Sequence, residues 1–252
     1  MNDVLLMQLM ELPYFRAMLR AVEASYYQDL ELLHPILDIG CGDGQFAKST
    51  FTSKLDVGID PWRKSLLDAI QYGGYKLLTQ GDGNCLPFPD KSFASAISNS
   101  VLEHIPDVES VLQEISRVLN NGARFIFCVP NDRYLHELSI SRVLGKGYTD
   151  WFRHISRVFH ADAPNVWQER LETAGFELED RWNYFSPASM RMLEWGHYFG
   201  LPSLVVKYLT GRWILVPRKW NLALTRCIVE KYVSNDPIED GVFTFYLARK
   251  KS

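Results

Sequence analysis

Ile36-Leu37-Asp38-Ile39-Gly40-Cys41-Gly42-Asp43-Gly44 is the stretch on which the reading of this chain turns. A short apolar run followed at once by glycines at alternate positions predicts a buried strand feeding a tight turn, with a helix after it. The pattern recurs downstream. Leu55–Asp60 predicts a second strand and Arg63–Gln71 a helix, while Lys76–Gln80 and Phe93–Ser98 predict two further strands. Asp107–Leu119 is the clearest helix, with Val108, Val111, Leu112, Ile115, Val118 and Leu119 on one stripe. Pro106-Asp107 would open it, and Asn120-Asn121-Gly122 would close it. Arg124–Val129 predicts a fifth strand, stopped by Pro130. Strands alternating with helices at this spacing imply βαβ units and a mostly parallel sheet.

The flanks are helical before this core and mixed after it. Residues 2–28 repeat apolar side chains at helical spacing, and Pro13 should divide them into two helices before His34-Pro35 ends the run. After Pro130, Asn165 is expected to cap a helix carrying Trp167, Leu171 and Ala174, ended by Gly175. Phe176, Leu178, Trp182 and Tyr184 at even spacing predict a strand, and Val242–Ala248, apolar on both faces, predicts a central one.

Composition narrows the function classes. The chain has 252 residues, 47% apolar and 23% charged, enough for a sizeable core and unlike a disordered chain. A net charge of −3 disfavours a general nucleic-acid binder while leaving local basic patches open. Cys41, Cys85, Cys128 and Cys227 are scattered, with no C-x-x-C and no nearby His at zinc spacing, which reads as reduced thiols and no metal site. Asp3 and Glu11 without a basic N-terminal region give no sign of a secretory signal. Leu201–Val216, broken by Lys207 and Arg212, is too short to cross a bilayer. A soluble cytoplasmic protein is expected, with peripheral membrane contact left open. Six of the seven Trp lie after residue 150, so the second half must do something that the first does not.

A glycine turn between strand and helix lets a ligand approach the backbone and meet free N–H groups. An empty tight turn would need glycine too, so the carboxylates decide the matter. Asp60 ends the second strand, twenty residues after Gly40, where an acid can accept from both ribose hydroxyls. Asp38 stands where a dinucleotide would place its pyrophosphate, and like charges would repel there. Position 45 is Gln, so the G-x-G-x-x-G spacing fails. S-adenosylmethionine, with an adenosine, a sulfonium, an ammonium and no phosphate, reverses the sign of that repulsion.

Leu37-Asp38-Ile39-Gly40-Cys41-Gly42-Asp43-Gly44 resembles motif I of the class I S-adenosylmethionine-dependent methyltransferases. Gly58-Ile59-Asp60-Pro61, Gly81–Phe88, Asn99–Ile105 and Glu114–Leu119 resemble the family's later segments in order and spacing. The likeness is strong over about Pro35–Pro130, and looser over Phe159–Phe185 and the last strand. It implies an α/β fold: a Rossmann-like, doubly wound, seven-stranded sheet, mostly parallel with the last strand antiparallel. Residues 1–252 would be one methyltransferase domain, with N-terminal helices over 1–34 and helical insertions over 131–164 and 186–240 as a substrate lid. It also implies S-adenosylmethionine as cofactor and S-adenosylhomocysteine as product. Carried over by position, Asp38 and Gly40 would face the methionine part, with backbone contacts from Cys41 and Gly42. Asp60 would bind the ribose, Pro61 and Trp62 would flank the adenine, and Asp82 would accept from its amino group. The Gly83 N–H would reach a ring nitrogen, and the Asn99 carbonyl would meet the methionine ammonium. Asn121-Gly122-Ala123 departs from the family's paired glycines, and Gly83 is smaller than the residue usual there.

His104, beside the expected methyl group, is the candidate base, although a histidine at a helix start can simply cap or pack. Tyr134, His136, Tyr148, Trp151 and His154 in the 131–164 insertion are candidate acceptor-binding residues, each of which could instead be a packing or surface residue. Ser98-Asn99-Ser100-Val101 is not the Asn/Asp-Pro-Pro-aromatic run of adenine amino methylation, and no Pro-Cys follows a strand. Between residues 201 and 231, six basic residues stand against Glu230 alone, with Trp213 and Trp220 among them. The plainer reading is a solvated basic face beside core aromatics, and the sharper one an RNA, an anionic head group or a sugar phosphate. A small-molecule acceptor, lipid-like or glycan-linked, is the leading expectation. An RNA methyltransferase using the basic face and a non-catalytic cofactor-binding module are the alternatives.

Overall fold

A computed structural model describes residues 2–28 and 30–252. The chain opens with α1 (Asn2–Glu11) and α2 (Tyr14–Gln28), divided at Pro13 as expected. Then come β1 (Ile36–Ile39), α3 (Gln45–Thr50), β2 (Leu55–Asp60), α4 (Arg63–Tyr72), β3 (Tyr75–Gln80), β4 (Phe93–Asn99), α5 (Val108–Val118) and β5 (Leu119–Pro130). The remainder runs α6 (Ser141–Ser156), α7 (Pro164–Thr173), β6 (Phe176–Tyr184), α8 (Pro187–Phe199), α9 (Leu201–Thr210), α10 (Lys219–Val229) and β7 (Phe243–Lys250).

All seven strands form one sheet in the order β3-β2-β1-β4-β5-β7-β6. The first five are parallel, and β7 runs antiparallel to both β5 and β6. Winding reverses between β1 and β4, and such a reversal leaves a crevice beyond the carboxyl ends of the two strands. Every residue of β1 is buried, because a parallel sheet needs both faces covered. On one face lie Val108, Val111, Leu112, Ile115 and Val118 of α5 with Trp167 of α7. On the other lie Ala17, Met18, Ala21 and Val22 of α2. Burial of each such Val or Leu contributes about 1.5–3 kcal/mol, so these two helices are what hold the crevice rigid. The apolar 242–248 run is central, as read: β7 lies between its two neighbours with Phe243–Ala248 buried.

Three local expectations are corrected. The N-cap of α5 is Asp107, as expected, but the helix stops at Val118 rather than at Asn120–Gly122. The Lys91 and Ser92 N–H groups donate to the Arg117 and Val118 carbonyls, which draws Leu119 into the sheet opposite Phe93. Arg124 then pairs with Ser95, so residues 120–123 form a bulge in the strand, with Gly122 at φ 75°. In α7 the cap is Ala163, not Asn165. Pro164 takes the first helical position, where its fixed φ fits and no N–H is missed. Finally, Trp220 is no core aromatic: it is 74% exposed, while Trp213 is half-buried under the Lys207 ammonium and the Arg16 guanidinium.

The 131–164 segment is largely helical, α6 being kinked at Gly145. The 186–240 segment supplies α8, packed on α2, and α10, packed on α1, with α9 between them in sequence.

Candidate active site

The glycine turn follows β1 directly into the crevice. Its Gly40 and Cys41 N–H groups both donate to the Ile59 carbonyl, tying the turn to β2. Gly40 has φ 75°, and a Cβ there would sit 2.3 Å from Val101 Cγ1, so only glycine fits. Gly42, at φ 54°, has no atom within 4 Å of where a Cβ would be. Space over the turn is therefore open to a ligand. The Gly42 N–H donates to Asp60 Oδ2 at 3.0 Å, and the Trp62 N–H donates to Asp60 Oδ1 at 2.9 Å.

Around this turn is a cavity of about 800 Å³. Six of the ten expected cofactor residues line it: Gly40, Asp60, Pro61, Trp62, Asp82 and Gly83. Trp62, 69% exposed, stands at the rim, and Asp82 holds Asn84 through one oxygen. The other four, Asp38, Cys41, Gly42 and Asn99, do not line it. Asp38 is buried and accepts from the Tyr75 hydroxyl at 2.5 Å. Burial lifts its carboxyl to about 7 against the effect of that hydrogen bond, and the nearby Asp60 adds to the rise. Burial raises Asp60 as well, opposed by the two N–H groups it accepts. Two carboxylates strained towards neutrality favour a cation and disfavour a phosphate. The open turn, the acid at the end of β2 and the charge sign all fit S-adenosylmethionine.

The opposite wall comes from α6 and the residues after it, including Asp150, Arg153, His154 and Arg157. His104 also lines this cavity, in a short 3-10 turn over Leu102–His104. Its Nδ1 is 2.9 Å from the Arg157 carbonyl. A carbonyl only accepts, so Nδ1 carries the proton and Nε2 presents a lone pair in the neutral ring.

A second cavity of about 270 Å³ shares His104, Ser156 and Val158 with the first. Leu19 and Arg20 of α2, Leu193 and His197 of α8, and Tyr134 line it with Glu103. Glu103 was not singled out from the sequence; its place beside His104 after β4 was the available signal. One of its oxygens is 3.8 Å from His104 Nε2, and the other is buried without a partner. Burial raises this carboxyl to about 7, with His104 pulling the other way.

A further buried acid was also missed. Glu23 of α2 is fully buried and accepts from Arg20 Nη1, Asn99 Nδ2 and the Ser100 hydroxyl, each at 2.7 Å, and from the Tyr184 hydroxyl at 3.2 Å. Ser100 has φ 52°, a conformation that this bond and its N–H to the Cys128 carbonyl hold in place.

The five expected acceptor residues are separated. His154 lines the larger cavity and Tyr134 the smaller. Tyr148 and Trp151 line neither: the Tyr198 hydroxyl donates to that of Tyr148 at 2.7 Å, and Trp151 stacks on the Tyr198 ring, joining α6 to α8. His136 is exposed in the turn before α6.

Comparison with known proteins agrees with this geometry. Residues 37–127 match the family model described as a methyltransferase domain. A protein of Encephalitozoon cuniculi named as a methyltransferase is 32% identical over 154 residues, covering 58% of this chain and 71% of that protein. The malonyl-[acyl-carrier protein] O-methyltransferase of Erwinia billingiae is 31% identical over 105 residues, 41% of this chain and 42% of that enzyme. Against several curated relatives the chain spans less than half of their length. Among solved structures, a Thermotoga maritima S-adenosylmethionine-dependent methyltransferase superposes with a TM-score of 0.59 at 18% identity, over 94% of this chain and 91% of that one.

Proposed function

The chain belongs to the class I S-adenosylmethionine-dependent methyltransferases, and from that premise we propose that it methylates a small acceptor with an apolar body. The observation that carries this reading is the wall of His104, Ser156 and Val158 shared by the two cavities. It sets a small chamber, lined by Leu19, Leu193 and Val158 together with Arg20, Glu103 and His197, next to the larger cavity that the glycine turn lines. S-adenosylmethionine, when bound, supplies a methyl group already activated on a sulfonium.

The protein's part is to hold, align and deprotonate. Asp60 accepts from the ribose hydroxyls, Pro61 and Trp62 flank the adenine, and Asp82 and the Gly83 N–H read its edge. Asp38, Gly40, Cys41, Gly42 and Asn99 shape the methionine end from the turn and the strands beneath it. His104 and Glu103 face the acceptor. The unpartnered oxygen of Glu103, on a carboxyl raised to about 7, is the group poised to take a proton near neutral pH, and His104 Nε2 stands 3.8 Å from its other oxygen. Residues 131–164 form the lid over the cofactor, and α8 closes the acceptor chamber. Tyr148 and Trp151 keep lid and chamber together through Tyr198 rather than touching the acceptor.

Support for an acyl or other lipid-like acceptor comes from the relative that methylates a malonyl-acyl carrier and from the apolar walls of Leu19, Leu193 and Val158. None of residues 201–231 lines either cavity, so the basic segment lends no support to RNA as the acceptor. The test has two steps. Calorimetric titration should give S-adenosylmethionine binding in the range of about 1–100 μM, ordinary for an enzyme substrate, and no binding would overturn the reading. Cofactor labelled in its methyl group should then mark the lipid or small-metabolite fraction of an extract. Label confined to RNA would overturn the choice of acceptor.

A further inference from the structure

Helix α9 carries Leu201, Leu204, Val205, Tyr208 and Leu209 at i, i+3, i+4, i+7 and i+8. That spacing makes one apolar stripe, and in a water-soluble helix such a stripe lies against a core. Here, among the described residues, the stripe is exposed along its length. No residue of α9 is buried, and Tyr208 is 90% exposed. In α10, Leu222 and Val229 are buried while Trp220, Leu224 and Ile228, four residues apart, face water, Leu224 at 73% exposure. Exposed apolar side chains in this number mark a binding surface.

The charge of the same segment says what covers it. Lys207, Arg212, Arg218, Lys219, Arg226 and Lys231 against Glu230 give residues 201–231 a charge of +5, in a chain whose net charge is −3. Among the described residues, the one ion pair these cations make is Arg226–Glu230, at 3.9 Å. A second copy meeting this face about a two-fold axis would set +5 against +5. Nucleic acid would satisfy the cations but leave Leu204, Val205, Leu209 and Leu224 in water, because phosphate grooves offer aliphatic side chains little. An anionic bilayer surface satisfies both: aliphatic side chains enter the acyl boundary, Trp and Tyr sit at headgroup level, and Lys and Arg meet phosphates. A ten-residue helix is about 15 Å long and lies in such a surface rather than crossing it. Among the described residues, no helix is long and apolar enough to cross.

We propose that residues 201–231 dock the protein onto an anionic lipid bilayer, with α9 and α10 seated in the headgroup plane. This stands on the surface alone and is independent of the methyl-transfer reading, so its test measures partition rather than turnover. The full chain is floated with vesicles of about 30% phosphatidylglycerol in phosphatidylcholine and with pure phosphatidylcholine, in about 0.1 M salt. Partition at least about tenfold stronger on the anionic vesicles is expected, weakening as salt rises. Leu209→Ser with Leu224→Ser, and separately Arg218→Gln with Lys219→Gln, should each reduce it about tenfold while the melting temperature holds, because all four side chains are exposed. Brominated lipid should quench the tryptophan fluorescence of the unmodified protein, and Trp220→Phe should remove most of that quenching; this readout needs no multiply substituted chain. Equal partition on both vesicles, or partition untouched by either pair of changes, would overturn the proposal. So would a short single-stranded RNA that displaces the protein from the vesicles, or a dimer in solution that the Leu209→Ser/Leu224→Ser change dissolves.

Discussion

Asp60 is bound at both ends of its carboxylate: Gly42 N–H reaches one oxygen at 3.0 Å and Trp62 N–H the other at 2.9 Å. The acid at the end of β2 therefore fixes the glycine turn and the Trp62 rim of the cavity at once. Its remaining lone pairs are the ones available to a ribose. Asp60→Ala should weaken S-adenosylmethionine binding by at least about 30-fold, near 2 kcal/mol, since two charge-assisted bonds and the ligand contact go together. Asp60→Asn should fall between, because its amide N–H₂ would have to face one of the two backbone donors. Calorimetric titration reads both. Affinities within threefold of the unmodified protein would remove Asp60 from the site.

Gly40 makes the turn irreplaceable for a different reason. An added Cβ would meet Val101 Cγ1 at 2.3 Å, and the φ of 75° is unfavourable for any other residue type placed there. Gly40→Ala should cost about 3 kcal/mol in urea unfolding, from left-handed strain and overpacking together. Val101→Ala added to it should restore only the overpacking share, about half. Full restoration would mean that the backbone conformation carries no strain.

The proposed proton transfer to Glu103 beside His104 can be tested by pH. With the Glu103 carboxyl raised to about 7, the rate should climb with pH through an apparent pKa near 7. Glu103→Gln should abolish that limb and lower turnover by about 100-fold or more, while S-adenosylmethionine affinity stays put. The stability sign runs opposite to that of a salt-bridged acid. The folded form holds the proton more tightly than the unfolded chain, so stability is highest in acid and is lost as pH rises from about 4.5 through about 7. Asp38, raised for the same reason, adds to the slope. Glu103→Gln should flatten this dependence by up to about 3 kcal/mol between pH 5 and pH 8. A pH-independent rate in the unmodified protein would exclude Glu103 as the base.

Local patterns carried the reading of β1, its turn, the five parallel strands and the central place of β7. A fully buried strand is a continuous apolar run, and a left-handed turn demands glycine. Non-local events escaped. The start of β5 depends on Lys91 and Ser92 taking the last carbonyls of α5, which no periodicity encodes. Glu23, set between Val22 and Ala24 in a helix, looks like an ordinary surface acid. Three of its four partners lie 76, 77 and 161 residues away, on or after β4 and at the end of β6. The stripe on α9 has the spacing of a core face and yet faces water, which spacing alone does not distinguish.

The Glu23 cluster yields the last expectation. One oxygen accepts from Arg20 and Asn99, whose nitrogens can only donate; the other accepts from the Ser100 and Tyr184 hydroxyls, which can also accept. Glu23→Gln can therefore turn its amide N–H₂ towards the hydroxyls and keep its oxygen towards Arg20 and Asn99. It should cost only about 1–2 kcal/mol in urea unfolding, the loss of charge assistance. Glu23→Ala has no such remedy: it leaves a half-buried guanidinium, an amide and two hydroxyls without this acceptor, and about 3–5 kcal/mol should go. Because Asn99 ends β4 and Ser100 follows it, next to Val101 against Gly40, the Ala variant should also bind S-adenosylmethionine more weakly than the Gln variant does. Equal stability of the two would mean that the four donors find water instead, and that this acid does not organise the floor of the site.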